Sequence, residues 1–404
     1  MLVRGRAARG LLLRNGAPSD GVRGGLLCTL CVALASAARA LPEGERPSEQ
    51  PRGAPKVDGR RSTPLDGQDT DAVRNARDDA RTRSFVRGLE FLAGAQTAHQ
   101  DGSFPAAGGR QHAPVALAGL GALAFMAEGS TPERGRFGKN VSAAVDYLLS
   151  KADSSASGTR GYIAVSLDDE WGMHAHGYAL LALCNAYTLS PLRERGQRIA
   201  ELLPDAVRVI EASQTSEGGW FYKPVAGFEH ENSVTVVQLQ ALRAARNCGI
   251  TVQSTVIARA IDYIRRCQSE NGSFRYALEP ASKTSLALTA AGLATLQNAG
   301  HYTGPEVDRA VHELWVELVE RERGTLAVER NFPHYERLYV ALALWTHADQ
   351  RLFQQWFATE CKAVVEDQRA DGSWSDEQFG ACYATSMNCL FLSIDDALLP
   401  LFER

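Results

Sequence analysis

From about residue 85 to the C-terminus, two kinds of apolar pattern alternate along the chain. Residues 114–128, 174–189, 233–247, 284–298, 335–347 and 383–394 are apolar on nearly every side, the pattern of helices buried on both faces. Before them stand runs such as RGLEFLAGAQ from Arg87, DAVRVIEASQ from Asp205 and RAIDYIRRCQ from Arg259, whose charges keep to one side. The alternation predicts repeated units, each an amphipathic helix, a polar turn and a buried helix. Pro114 opening one buried helix, and Gly129, Gly249 and Gly300 closing three, fit helix start and stop chemistry.

A short mark recurs where the amphipathic runs end. Residues 214–220 (QTSEGGW), 268–274 (QSENGSF) and 368–374 (QRADGSW) meet the template Q-x-x-x-G-x-(W/F) without a gap. Residues 96–104 (QTAHQDGSF) meet it with two residues inserted. Alignment at the glutamine adds two worn copies, one ending at Ala152 and one near Glu322, so successive units step by 56, 62, 54, 54 and 46 residues. A period near fifty residues decides the architecture before any local motif does.

With the aromatic and aliphatic residues upstream, these marks resemble the QW repeat of the prenyltransferase and squalene-oxidase repeat family over residues 85–404. That family includes squalene-hopene cyclases, oxidosqualene cyclases and, more weakly related, the β subunits of protein prenyltransferases. The resemblance implies an all-α (α/α)6 toroid, with six parallel inner helices ringed by six outer ones. It also implies that Gln96, Phe104, Gln214, Trp220, Gln268, Phe274, Gln368 and Trp374 staple neighbouring units and take no part in chemistry.

Composition changes the picture at the N-terminus. Residues 1–23 are basic, residues 24–38 are uncharged, and Ala38-Arg39-Ala40 follows, which together read as a signal peptide or anchor over residues 1–40. The long basic stretch points to a start nearer Val22. Residues 41–79, rich in Pro, Gly, Ser, Arg and Asp without apolar period, read as a disordered linker, leaving 80–404 for the toroid. The expected location is therefore exported, whether periplasmic, secreted or tethered through the N-terminal segment. With 43 basic against 47 acidic residues there is no basic excess to recruit nucleic acid. Cys184, Cys248, Cys267, Cys361, Cys382 and Cys389 stand singly in or beside helices and read as small buried hydrophobes; the sequence does not say which of them pair.

In such a ring the buried helices open toward one mouth, where their free N–H groups favour electron-rich ligands. The residues delivered there are His112, Trp171, His174, His176, His230, Glu231, His334, Tyr335, Glu336 and Tyr383. A protonating cyclase needs a carboxylic acid kept neutral beside an aromatic wall. The D-x-D-D run that carries this acid in squalene cyclases is absent, and Asp168 and Asp169 are the nearest acidic cluster. The D-x-C pair of the zinc prenyltransferases is absent too, so zinc would need His174 and His176 with His230, Glu231 or His334. The first expectation is a non-catalytic toroid that binds a hydrophobic ligand, an isoprenoid or other lipid, or a protein partner. The alternative is a divergent terpene cyclase-like or prenyltransferase-like enzyme. The two are separated by whether the mouth holds a concentrated, desolvated polar cluster.

Overall fold

The computed structural model describes residues 71–190, 193–326, 330–396 and 398–399; the segment read as a signal and residues 41–70 of the linker lie outside them. Among the described residues there are twelve α-helices in chain order. They are α1 (Asp71–His99), α2 (Pro114–Ala127), α3 (Gly138–Ser150), α4 (Gly172–Leu189), α5 (Glu194–Ser213) and α6 (Asn232–Asn247). The second half continues with α7 (Ser254–Arg266), α8 (Leu286–Asn298), α9 (Pro305–Glu322), α10 (Pro333–Thr346), α11 (Gln350–Glu366) and α12 (Ala381–Leu392). Helix α1 already covers the last residues of the stretch read as linker.

The even-numbered helices form a closed inner ring: each packs on the next, and α12 returns to α2. Their composition dictates that place. Every residue of α2 from Val115 to Ala127 is buried, and so is every residue of α8 from Thr289 to Gln297. The odd-numbered helices lie outside; α7 buries only Val256, Ala260, Tyr263 and Ile264 and turns its arginines outward. Neighbouring inner helices meet start to start and end to end. Met173 N donates to Tyr222 O ahead of α6, and Asn232 N donates to Tyr276 O ahead of α8. At the far ends Arg243 of α6 reaches Asn298 of α8 at 2.6 Å, and Thr346 of α10 reaches Gln297 at 3.3 Å. The inner helices therefore run parallel, and the fold is an (α/α)6 toroid.

The marks join unit to unit by one repeated geometry. Each glutamine Nε2 donates to the carbonyl of its own mark glycine and to a carbonyl in the first half of the next outer helix. The second acceptors are Asn140, Val256, Glu306 and, for Gln368, Ser84 of α1, which closes the ring. The glycine is required by shape. Gly218 and Gly372 have φ of +94° and +89°, and a Cβ on either would sit 2.5 Å from the backbone oxygen of Arg259 or Arg87 on the next outer helix. Behind the glycine the aromatic is buried. Trp220 and Trp374 also donate Nε1–H to Ile210 O and Val364 O at 2.7 and 2.8 Å.

A partner of the mark lies in the first turn of the inner helix. The amides of Trp220, Phe274 and Trp374 donate to the hydroxyls of Thr235, Thr289 and Thr385 at 3.1, 3.1 and 3.2 Å. In the worn second unit His176 takes the threonine's place: its Nδ1 accepts from Ile163 N and its Nε2 donates to Ala206 O, both at 3.1 Å.

Gln368→Ala removes both bonds of the closing staple and is expected to cost roughly 1–3 kcal/mol. Because Ser84 is the lost acceptor, hydrogen exchange should speed up in α1 and leave α5 to α7 unchanged. Uniform acceleration around the ring would refute this local role.

Candidate functional site at the mouth of the ring

The shared end of the inner helices carries a connected group of aromatic rings. Trp171, just before α4, meets Tyr222 edge-on at 5.8 Å and Phe379 at 5.2 Å between centroids. Phe379 passes the contact to Tyr383 of α12 at 5.1 Å, and Tyr222 shares a hydrogen bond of 2.7 Å with the hydroxyl of Tyr276. Deeper, the hydroxyl of Tyr178 of α4 lies near that of Tyr339 of α10, which stands across the ring. Tyr339 lies against Tyr335 at 4.4 Å and donates to Gln240 Oε1 of α6 at 2.9 Å. The tyrosines thus form a floor across the lumen below the Trp171–Phe379 contact. Burial raises the hydroxyls of Tyr178, Tyr335, Tyr339 and Tyr383, keeping them neutral donors.

Beside this wall sits a desolvated polar cluster. Glu231 is the N-cap of α6, and its carboxyl accepts from Val234 N at 2.6 Å, Ser233 N at 2.8 Å and Ser233 Oγ at 2.8 and 2.9 Å. Ser233 Oγ lies 3.1 Å from His174 Nε2, and the histidine nitrogen is 3.7 Å from Glu231 Oε1. Complete burial pushes the Glu231 carboxyl up to about 7, although its three donors pull the other way. Burial likewise pushes His174 down to about 4. The carboxyl therefore keeps its proton well above the ordinary carboxylate range, while the imidazole stays neutral. His174 lies against Trp171 and Tyr222 at 6.0 and 5.6 Å, and its Nδ1 is buried without a hydrogen-bond partner.

Five residues chosen from the sequence therefore gather here: Trp171, His174, Glu231, Tyr335 and Tyr383. The others lie elsewhere. His112 is exposed and bonds Phe104 O at 3.0 Å, supporting the first mark. His176 is the core bond described above, and burial lowers it to about 4. His230 turns outward against the Tyr263 hydroxyl at 3.1 Å, since adjacent residues of an extended segment point to opposite sides. His334 is buried beneath the last mark, bonded to Ser375 O, Asn388 and Arg337. Glu336 faces the outer helices, held by Arg321 and Arg330 at 2.8 and 2.7 Å beside a cavity of about 370 Å³ between α9 and α11. Asp168 stands exposed on the rim 3.4 Å from Lys223, and Asp169 accepts from Trp171 N at 2.9 Å. Both lack the enclosure that surrounds Glu231.

Among the described residues no three His, Cys, Asp or Glu side chains gather to hold a metal ion. The histidines proposed for zinc are divided between mouth, core and outer face. No described helix is long and apolar enough to cross a membrane.

Tyr222, Tyr276, Phe379, Tyr178 and Tyr339 were not among the residues chosen for the mouth, whereas Tyr335, at the start of the fifth buried helix, was. A signal for them exists. Tyr222 and Tyr276 each follow a mark aromatic by two places, Tyr178 and Tyr339 share the seventh place of their helices, and Tyr335 and Tyr383 the third. Beyond the rings, a cavity of about 390 Å³ opens between Glu170, Trp171, Phe221, Tyr222, Lys223, Val225, Gly227 and Glu229. Val165, Leu167, Val225 and Phe228 are exposed on the two loops nearby.

The architecture is that of the terpene-cyclase toroids. Solved structures of the type II terpene cyclase MstE from Scytonema share it. The apo form is 15% identical with a TM-score of 0.52, covering 80% of this chain and 99% of that one. An apo single-residue variant of MstE is 16% identical, with a TM-score of 0.51 and coverage of 79% and 97%. Another variant, in complex with the substrate geranylgeranyl dihydroxybenzoate, is 14% identical, with a TM-score of 0.50 and coverage of 79% and 99%. At these identities the likeness is one of fold. No protein-family model and no curated protein matches the chain.

Proposed function

We propose that the mouth binds an isoprenoid chain, laying its hydrocarbon against Trp171, Tyr222, Phe379 and Tyr383 above the tyrosine floor. The observation that carries this reading is the convergence of these rings from separate repeat units on one opening. Aromatic faces offer large apolar area at little entropic cost and attract cationic or electron-poor carbon. The exposed Val165, Leu167, Val225 and Phe228 give an oily chain an apolar approach. The fold neighbour MstE, which binds a geranylgeranylated dihydroxybenzoate, supports the class of ligand and leaves the particular one open.

The test is a titration of the purified chain with a geranylgeranylated phenol in detergent micelles, followed by tryptophan fluorescence and calorimetry. Saturable binding is expected, and Trp171→Ala should weaken it about tenfold or more, the loss of one aromatic anchor being worth roughly 1.5–3 kcal/mol. Equal binding by wild type and variant, or none by wild type, would sink the reading.

A second reading is favoured by Glu231. A carboxyl that keeps its proton near neutral pH, linked through Ser233 to His174 at the aromatic wall, supports acid-initiated conversion of the bound chain. The proton would leave Glu231 through Ser233 and His174 for a carbon–carbon double bond. The carbocation formed would lie against the aromatic faces until loss of a proton returned it to the relay. Under this reading Glu231→Gln binds the phenol normally and yields no cyclised product by mass spectrometry, whereas wild type yields one. For residues 1–40 we propose export of the toroid, which N-terminal sequencing of the secreted chain tests.

A further inference from the structure

We propose that Cys184 and Cys248 form a disulfide that pins α4 to α6 at the face opposite the mouth. Cys184 lies near the end of α4, and Cys248 is the residue that caps α6. The Cys248 sulfur is 3.3 Å from the Cys184 carbonyl oxygen and 3.6 Å from Thr188 Oγ1. The two side chains are neighbours, each bearing on the other's ionisation. A thiol 3.3 Å from the backbone of the residue that bears the other thiol, on the neighbouring helix, is within reach of a bridge. The other cysteines have different surroundings: Cys267 lies beside Tyr263, Cys361 near Arg81, and Cys389 against Phe85 O, while Cys382 is buried in α12.

The pair also divides the chemistry. Cys248 is partly exposed, and the Cys184 side chain beside it lowers it to about 7, so thiolate is abundant at neutral pH. Cys184 is buried, and burial raises it well above the ordinary thiol. With a small-molecule disulfide such as oxidised glutathione, the Cys248 thiolate attacks one sulfur and displaces a glutathione thiolate. Cys184 then gives up its proton and attacks the Cys248 sulfur, displacing the second glutathione. Two protein thiols are oxidised and one glutathione disulfide is reduced to two thiols.

The consequence is a covalent link between adjacent inner helices, closing a loop from residue 184 to residue 248 without touching the ligand wall. The test oxidises the full chain with oxidised glutathione, alkylates the remaining thiols and maps the peptides without reduction. A single linked pair, 184 with 248, is expected, with the mass lower by two hydrogens before alkylation. The melting temperature should rise by roughly 5 °C and fall back on reduction. Cys184→Ser and Cys248→Ser should each show neither the link nor the rise. Recovery of both residues alkylated, a stable glutathione adduct on Cys248 beside alkylated Cys184, or a link to any other cysteine would overturn the proposal.

Discussion

Trp220→Ala is expected to destabilise the toroid by about 4 kcal/mol, the scale of an emptied aromatic core position. Trp220 is fully buried at the joint of the third unit, where its indole fills the space behind Gly218 and bonds Ile210 O. Its removal empties a large volume between the outer and inner helices and frees an end-of-helix carbonyl of α5. For a ring of this size the melting temperature should fall by roughly 5–10 °C. Trp220→Phe should cost only about 1–2 kcal/mol, since it keeps most of the ring and gives up the hydrogen bond. Phe104 and Phe274 show that phenylalanine can hold this post when the inner helix makes room. Gly121 and Gly292 lie against their rings so closely that a Cβ there would collide. Calorimetry of the two variants checks the ranking. An alanine variant that melts with the wild type would mean that the mark does not staple the ring.

Glu231→Gln should become steadily more stable relative to wild type as pH rises from about 5 to 8, by roughly 2–3 kcal/mol in all. The folded carboxyl sits at about 7, above its ordinary 4.5. Between those values the folded chain keeps a proton that the unfolded chain releases. The stability that Glu231 contributes is therefore full below about 4.5 and lost as pH rises through about 7. His174 and His176 act in the opposite sense. Lowered by burial to about 4 from 6.5, they stabilise the fold above 6.5 and withdraw that support as pH falls toward 4. Comparing the two chains cancels most of the histidine contribution and leaves the carboxyl. Denaturation midpoints measured at both pH values decide it. Parallel pH profiles would mean that Glu231 is an ordinary ionised helix cap, and the acid reading would go with it.

Much of the fold was legible because its code is local and repeated. The alternation of one-sided and all-round apolar helices determines which helices are outer and which inner. The glutamine, glycine and aromatic report a joint whose geometry recurs, including a glycine at positive φ that no other residue fills without strain. Even the worn second unit obeys it. Gly161 has φ of +89° and lies against Asp205 of α5, although no glutamine marks it.

The site was legible only in part, for a physical reason. Position before an inner helix places a residue near the mouth, yet the direction of its side chain depends on whether the segment is extended, turned or already helical. So Glu231 points in while His230 points out, and His174 reaches the wall while His176, two places on along the helix, turns into the core. The tyrosine floor is set by contacts across the ring between residues far apart in sequence, such as Tyr339 and Gln240. By itself, then, the sequence determined the repeat, the helix pairs and the residues of each joint, because those depend on near neighbours and on a pattern met again and again. Only closure of the ring decided which side chains share one desolvated space, and hence which carboxyl keeps its proton, because burial is a property of the assembled circle.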